Sequence, residues 1–301
     1  MHGIHASLVT PFTAGGALDA KSLERLARHC LDNGAAGLVA LGTTGEAPLL
    51  TADERRAVLE VCRAVSIEYG TPLTVGAGTM GTADTLAEVR ERAPLADALL
   101  VVVPYYLRPS DQGVLDHFAA VGAAVDVPLL PYNIPYRTGK HLGSDALLRL
   151  LALDCVIGIK HCPGGIDHDT LALLAARTGK AVLCGDDAYV HPMMALGASG
   201  GITASACLAP AAYAELARSG CQDLHNALLP LVDALFAEPS PAVLKACLAD
   251  LGVLDSPAVR APLHAPRPEN VARARAALRA LPGHRVRRPC AWNATALARP
   301  V

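Results

Sequence analysis

Residues 155–165 read CVIGIKHCPGG. The run is apolar and largely β-branched up to Lys160, and a Pro-Gly-Gly cluster ends it. A strand exposed on one face alternates polar and apolar residues, whereas a short, continuously apolar run belongs to a strand covered on both faces. The same signature recurs at 4–9, 37–41, 73–76, 98–103, 128–132, 181–184 and 201–204. Segments of helical pattern lie between these runs. Residues 22–33 place Leu23, Leu26, Ala27 and Cys30 at helical spacing before Gly34, a C-terminal stop signal. Residues 51–68 open TADE, a capping box with Thr51 as N-cap and Glu54 at the third helical position. Residues 144–151, 170–177 and 210–219 fill later intervals. Parallel strands require crossovers of this kind.

The alternation of eight strands with helices predicts an α/β fold, a closed (β/α)8 TIM barrel. An open doubly wound sheet is the rival, but it normally carries a glycine-rich phosphate turn after its first strand. Here that strand ends VTPF (9–12), with no GxGxxG. Beyond residue 222 the alternation gives way to helical patterns at 223–236, 241–251 and 269–281. The expected division is a catalytic barrel over 1–222, a C-terminal helical extension over 223–282 and a disordered, arginine-containing tail over 283–301.

Composition narrows the function. A formal net charge of −2 gives no basic field for nucleic acid. No apolar run approaches the ~20 residues of a membrane span, and MHGIHASLVTPF (1–12) has no signal-peptide pattern. The expectation is a cytoplasmic protein with no nucleic-acid or membrane partner. Nine scattered cysteines without a CxxC pair fit reduced thiols better than a disulfide or zinc framework. The eleven histidines form no HExxH motif, and GIDHDT (165–170) reads as a helix cap, so no metal is expected.

In a (β/α)8 barrel, chemistry sits at the C-terminal ends of the strands. Those ends read TPF, GTTGE, GAG, PYY, PYN, IK, GDD and TAS in order. Lys160 is one of only five lysines against 21 arginines, so its place at the end of an apolar strand is pointed. Burial disfavours an ammonium, and a neutral amine attacks carbonyls to give Schiff bases. The competing role is a lysine paired with Asp186 or Asp187. Tyr132, ending the neighbouring strand, is placed to relay protons with Thr43 or Thr44. The GTTGE turn (42–46) offers amides and hydroxyls suited to a carboxylate, unless it is an ordinary turn with Glu46 near a helix N-terminus.

The segments GTTGEAPLLTADER (42–55), PYYLRPS (104–110), YNIPYRTG (132–139), GIK (158–160), GDD (185–187) and FAEPSPAVLKACLADLG (236–252) resemble, in order and spacing, the dihydrodipicolinate synthase / N-acetylneuraminate lyase family. The likeness covers about residues 2–282. It implies a barrel with a C-terminal helical extension, a homotetramer built as a dimer of dimers, and no cofactor beyond a covalent Schiff base between lysine and pyruvate or a related 2-oxo acid. By this resemblance Lys160 is the Schiff-base lysine, Tyr132 and Thr43 are the proton relay, and Thr44 holds the pyruvate carboxylate. Tyr106 completes the relay of a neighbouring subunit, and Gly185 and Ile202 line the pyruvate pocket. Arg137 resembles the synthase branch, in which it meets the carboxylate of aspartate semialdehyde. The implied reaction condenses pyruvate with that aldehyde to 4-hydroxy-tetrahydrodipicolinate, a step of lysine biosynthesis. The alternatives are an aldolase for another aldehyde, such as a 2-oxo-3-deoxy sugar acid, and a non-catalytic barrel that binds a small acid.

The chain departs from the synthase pattern in several places. His161, Cys162 and Pro163 follow the lysine, where an acid and a small residue are usual. Tyr136 stands where serine is commoner, and Cys207 where asparagine is common. Ala52 and Met80 occupy positions at which lysine-regulated members place polar residues, so feedback by free lysine is expected to be weak or absent.

Overall fold

The structure, a computed structural model, describes residues 1–282; the expected tail over 283–301 lies outside the described residues. Eight strands run in parallel: β1 Gly3–Ser7, β2 Gly37–Ala40, β3 Leu73–Ala77, β4 Ala98–Val102, β5 Leu129–Asn133, β6 Gly158–His161, β7 Ala181–Cys184 and β8 Gly200–Thr203. Each pairs with the next, and β8 returns to β1 with Ile202 opposite His5, closing the barrel. The helices are α1 Ala20–Asp32, α2 Ala52–Tyr69, α3 Thr82–Arg92, α4 Asp111–Ala123, α5 Pro135–Thr138, α6 Ser144–Leu151, α7 His168–Ala175, α8 Val190–Ala195, α9 Pro210–Ser219, α10 Gln222–Leu235, α11 Ala242–Asp250 and α12 Pro268–Ala280.

The strands are apolar throughout because both of their faces are covered. Leu99 and Val101 of β4 point into the layer between barrel and helices, while Leu100 points into the barrel. Val39, Leu130, Leu183 and Ile202 join Leu100 inside. They plug the lumen beneath the mouth, so the barrel is a packed core and not a pore.

Local signals explain most boundaries. The capping box at α2 forms as predicted: the Thr51 hydroxyl accepts from the Glu54 amide and the Glu54 carboxylate accepts from the Thr51 amide. The Asp167 carboxylate accepts from the Thr170 amide, so α7 starts two residues before the predicted 170. β6 starts at Gly158 and not at 156; Val156 makes only an isolated bridge to Leu129. Glycine is required there, because a Cβ would lie 2.4 Å from the Ala181 carbonyl oxygen of β7. After α9, the last three helices leave the alternation, and α10 packs along α12.

Candidate active site

β5 and β6 set Tyr132 directly opposite Lys160 in the sheet register. The Lys160 ammonium lies 4.3 Å from the centroid of the Tyr132 ring. Both side chains are buried, at 6% and 7% exposure. Burial pulls the Lys160 pKa down, and the nearby Cys162, Asp187 and Asp186 only partly oppose it. Neither acid is bonded to the amine. Asp187 accepts from the Ser205 amide at 2.7 Å and from the Ser205 hydroxyl. Asp186 accepts from the Cys162 thiol and the Gly164 amide, each at 2.8 Å. A lysine neutralised by an acid in the mouth is therefore not what the geometry presents. Burial also pushes Asp187 up, to about 6, against the hydrogen bonds from Ser205.

Gly185 makes room for the lysine stem. A Cβ at this position would lie 2.9 Å from Lys160 Cε and 2.9 Å from Cys162 Cβ. Burial raises the Tyr132 phenol well above its usual range, and its interaction with the Thr43 side chain pulls the other way. At neutral pH the phenol is a proton donor. Thr44 is buried and its hydroxyl accepts from Ser7 at 3.2 Å.

Thr43, Thr44, Tyr132, Arg137, Lys160, Gly185 and Ile202 all line one cavity at the barrel mouth. Arg137 is exposed, its guanidinium 5.9 Å from the Tyr136 ring centroid. Tyr106 is not in this cavity. It is 80% exposed, with φ at +68°, a left-handed conformation unfavourable for a tyrosine.

The sequence reading missed the reach of the C-terminal segment to the mouth, and it left open which way the residues that depart from the synthase pattern point. Phe236 and Ser240, from the loop between α10 and α11, also line the cavity. Tyr136 and Cys162 form part of its wall, with the Tyr136 hydroxyl 3.3 Å from the Cys162 sulfur. His161, one residue from the lysine, points the other way. Its ring nitrogens meet the Asn133 amide nitrogen at 3.2 Å and the Thr170 hydroxyl at 3.0 Å, and burial lowers its pKa to about 4. Cys207 is buried in the layer between barrel and helices, its thiol donating to the Ser7 carbonyl at 3.2 Å.

Glu46 does stand at a helix N-terminus, directly before the 3-10 turn Ala47–Leu49, but its side chain does not cap that turn. Glu46 is 2% exposed and its carboxylate meets the Lys245 ammonium at 2.5 Å. Lys245 is fully buried in α11, and burial lowers its pKa to about 8 against the pull of Glu46. The signal was present, since Lys245 is another of the rare lysines in an apolar run, AVLKACL.

The Lys160 amine, buried and bonded to no acid among the described residues, shares a cavity at the mouth of a (β/α)8 barrel with a phenol and two threonines, an arrangement suited to an enzyme of the aldolase type, a lyase. The family model described as the dihydrodipicolinate synthetase family matches residues 1–281. A 4-hydroxy-tetrahydrodipicolinate synthase of Moorella thermoacetica is 39% identical over 269 residues, spanning 86% of this chain and 91% of the relative. A protein of the same name from Neisseria meningitidis serogroup B is 36% identical over 290 residues, spanning 93% and 98%. The crystal structure of a dihydrodipicolinate synthase from Thermotoga maritima superposes with a TM-score of 0.88 at 32% identity, covering 93% of this chain and 98% of that one. The chain belongs to the dihydrodipicolinate synthetase family.

Proposed function

We propose that this enzyme condenses pyruvate with aspartate semialdehyde to 4-hydroxy-tetrahydrodipicolinate. The observation that carries the reading is the Lys160 amine, buried and bonded to no acid, sharing one cavity with the exposed Arg137 guanidinium. In this reading the neutral amine adds to the pyruvate ketone, and water leaves to give an iminium. Tyr132 and Thr43 supply and accept the protons of that step. Thr44 and the amides of its turn hold the carboxylate. Loss of a methyl proton gives an enamine, whose carbon attacks the aldehyde. The amino group of the second substrate then displaces Lys160, closing the ring and freeing the enzyme. Residues 1–222 carry the chemistry, and 223–282 support it. A cytoplasmic place for the enzyme belongs to the same reading; no described helix is long and apolar enough to cross a membrane.

The test is a substrate panel. With pyruvate fixed, kcat/KM should be highest for aspartate semialdehyde and lower for sugar-derived aldehydes; the opposite order would favour a sugar-acid aldolase, for which Tyr136 and Cys162 would shape the second site. In the same panel Arg137→Ala should lower kcat/KM for the carboxylate-bearing aldehyde by about ten- to a hundredfold, the worth of a charge-assisted contact. Pyruvate adduct formation should change little. Equal losses in both steps would make Arg137 a structural residue.

Tyr106 fits this reading only in an assembly. Its exposed ring, outside its own chain's cavity, suits a residue that completes the relay of a second copy in a dimer of dimers. Mixed dimers of inactive Tyr106→Phe and inactive Lys160→Ala protomers should regain activity, because one of the two sites then holds both groups. Verified mixed dimers without activity would remove Tyr106 from the relay.

A further inference from the structure

The segment after the barrel reaches back to the mouth in two ways. Phe236 and Ser240 form part of the cavity wall. Farther on, Lys245 and Arg260 close on Glu46, the residue directly after Thr43, Thr44 and Gly45. One Glu46 oxygen accepts from the Lys245 ammonium at 2.5 Å, and the other from the Arg260 amide at 3.0 Å. Lys245 also donates to the Ala258 carbonyl at 2.8 Å. Its ammonium lies 4.1 Å from the Phe12 ring centroid, and the Arg260 guanidinium lies 4.2 Å from the centroid of the same ring. That guanidinium grips both oxygens of Glu54 and the carbonyls of Leu49 and Gly16.

Glu46 is a bend as well as an acid. Its φ is +54°, and its amide donates to the Thr43 carbonyl at 3.1 Å, closing the short 3-10 turn that carries both threonines. A non-glycine residue persists in that conformation only where its surroundings hold it. The surroundings here are the buried cation and amide that grip its side chain. From the other side, the Thr10 hydroxyl donates to the Gly45 carbonyl at 2.6 Å, and Ser7 donates to Thr44. The turn is thus held between β1 and the C-terminal helices.

We infer that Glu46 and Lys245 are positioning residues for substrate: the C-terminal helical segment, through Lys245 and the Arg260 amide, holds Glu46 so that Thr43 and Thr44 stand where a carboxylate bound beside Lys160 must be met. This rests on the reading of Lys160 and the threonines given above. It assigns the extension a part in recognising the 2-oxo acid, beyond bracing the barrel.

Three variants test it: Lys245→Met, Glu46→Gln and the double variant. Removing one partner of a buried ion pair strands the other charge, whereas removing both is close to neutral for folding. Both single variants should lose thermal stability, and the double should regain most of it. If Glu46 positions the threonines, the pyruvate concentration that half-saturates borohydride trapping should rise about tenfold in the singles, and it should stay raised in the double because no cation holds the side chain. Turnover at saturating pyruvate should fall by no more than about threefold, because the amine and phenol are untouched. Should Lys245→Met not fold, Glu46→Gln and the double variant carry the same comparison. A half-saturation that stays at the wild-type value, or that returns with stability in the double, would overturn the inference and leave the pair purely structural. Failure of the wild-type chain to form any pyruvate adduct would overturn the Schiff-base reading and this inference together.

Discussion

Pyruvate and borohydride together should leave a covalent adduct on Lys160 and on no other lysine, located by peptide mass spectrometry. Lys245 is the instructive control. It is more deeply buried than Lys160, but its ammonium is bonded to Glu46 and to the Ala258 carbonyl. Lys160 instead faces a cavity and an aromatic ring, with both neighbouring carboxylates engaged elsewhere. Because burial lowers the Lys160 pKa, the neutral fraction is raised at a given pH. At subsaturating pyruvate the rate of adduct formation should therefore increase with pH through a midpoint below the ordinary lysine range. Lys160→Ala should form no adduct and lose turnover by about 10³-fold or more, since the covalent route is gone. It should fold at least as stably as the wild type, because a buried amine without an ionic partner is a cost to the fold. An adduct on another lysine, or turnover surviving in Lys160→Ala, would refute the Schiff-base mechanism.

Tyr132→Phe should produce the second-largest loss, a fall of about 10²–10³ in kcat, the usual worth of a positioned acid–base group. Phenylalanine keeps the ring that faces the ammonium, so the fold and the cavity shape should persist. The adduct should still form, but slowly, because addition to the ketone no longer has a proton donor at hand. A Tyr132→Phe enzyme that turns over at the wild-type rate would place proton transfer elsewhere, with solvent or Cys162 the next groups in the cavity.

The fold was legible because the eight strands are covered on both faces, and such strands leave short apolar runs that recur along the chain between segments of helical pattern. Helices with strong ends were legible too: Thr51 with Glu54 at α2, and Gly34 beyond α1. α3 was not singled out, since only Thr85, Val89 and Arg92 are buried on it and no side chain caps it. α8 was missed because six residues are too few to show a period. In the site, residues at strand ends were readable from position and chemistry, as Lys160 and Tyr132 were. What stayed hidden came from long-range closure. Neither Phe236 nor Ser240 carries a local sign that it will reach the mouth. Glu46 looks like any acid in a loop until α11 brings Lys245 against it. Orientation was hidden as well: His161 and Cys162 are adjacent, yet pleating sends one outward to Thr170 and the other into the cavity.

The Glu46–Lys245 contact joins residues 199 positions apart, and that separation has a meaning in time. A ribosome adding about 5–20 residues per second needs roughly 10–40 s to go from one to the other. Throughout that interval the nascent chain carries the threonine turn complete in sequence but without its cation, and the ammonium that secures it emerges only after every barrel strand has been made. The binding site is therefore among the last parts of the molecule to reach its final form, although the residues that touch substrate begin with some of the first to be made.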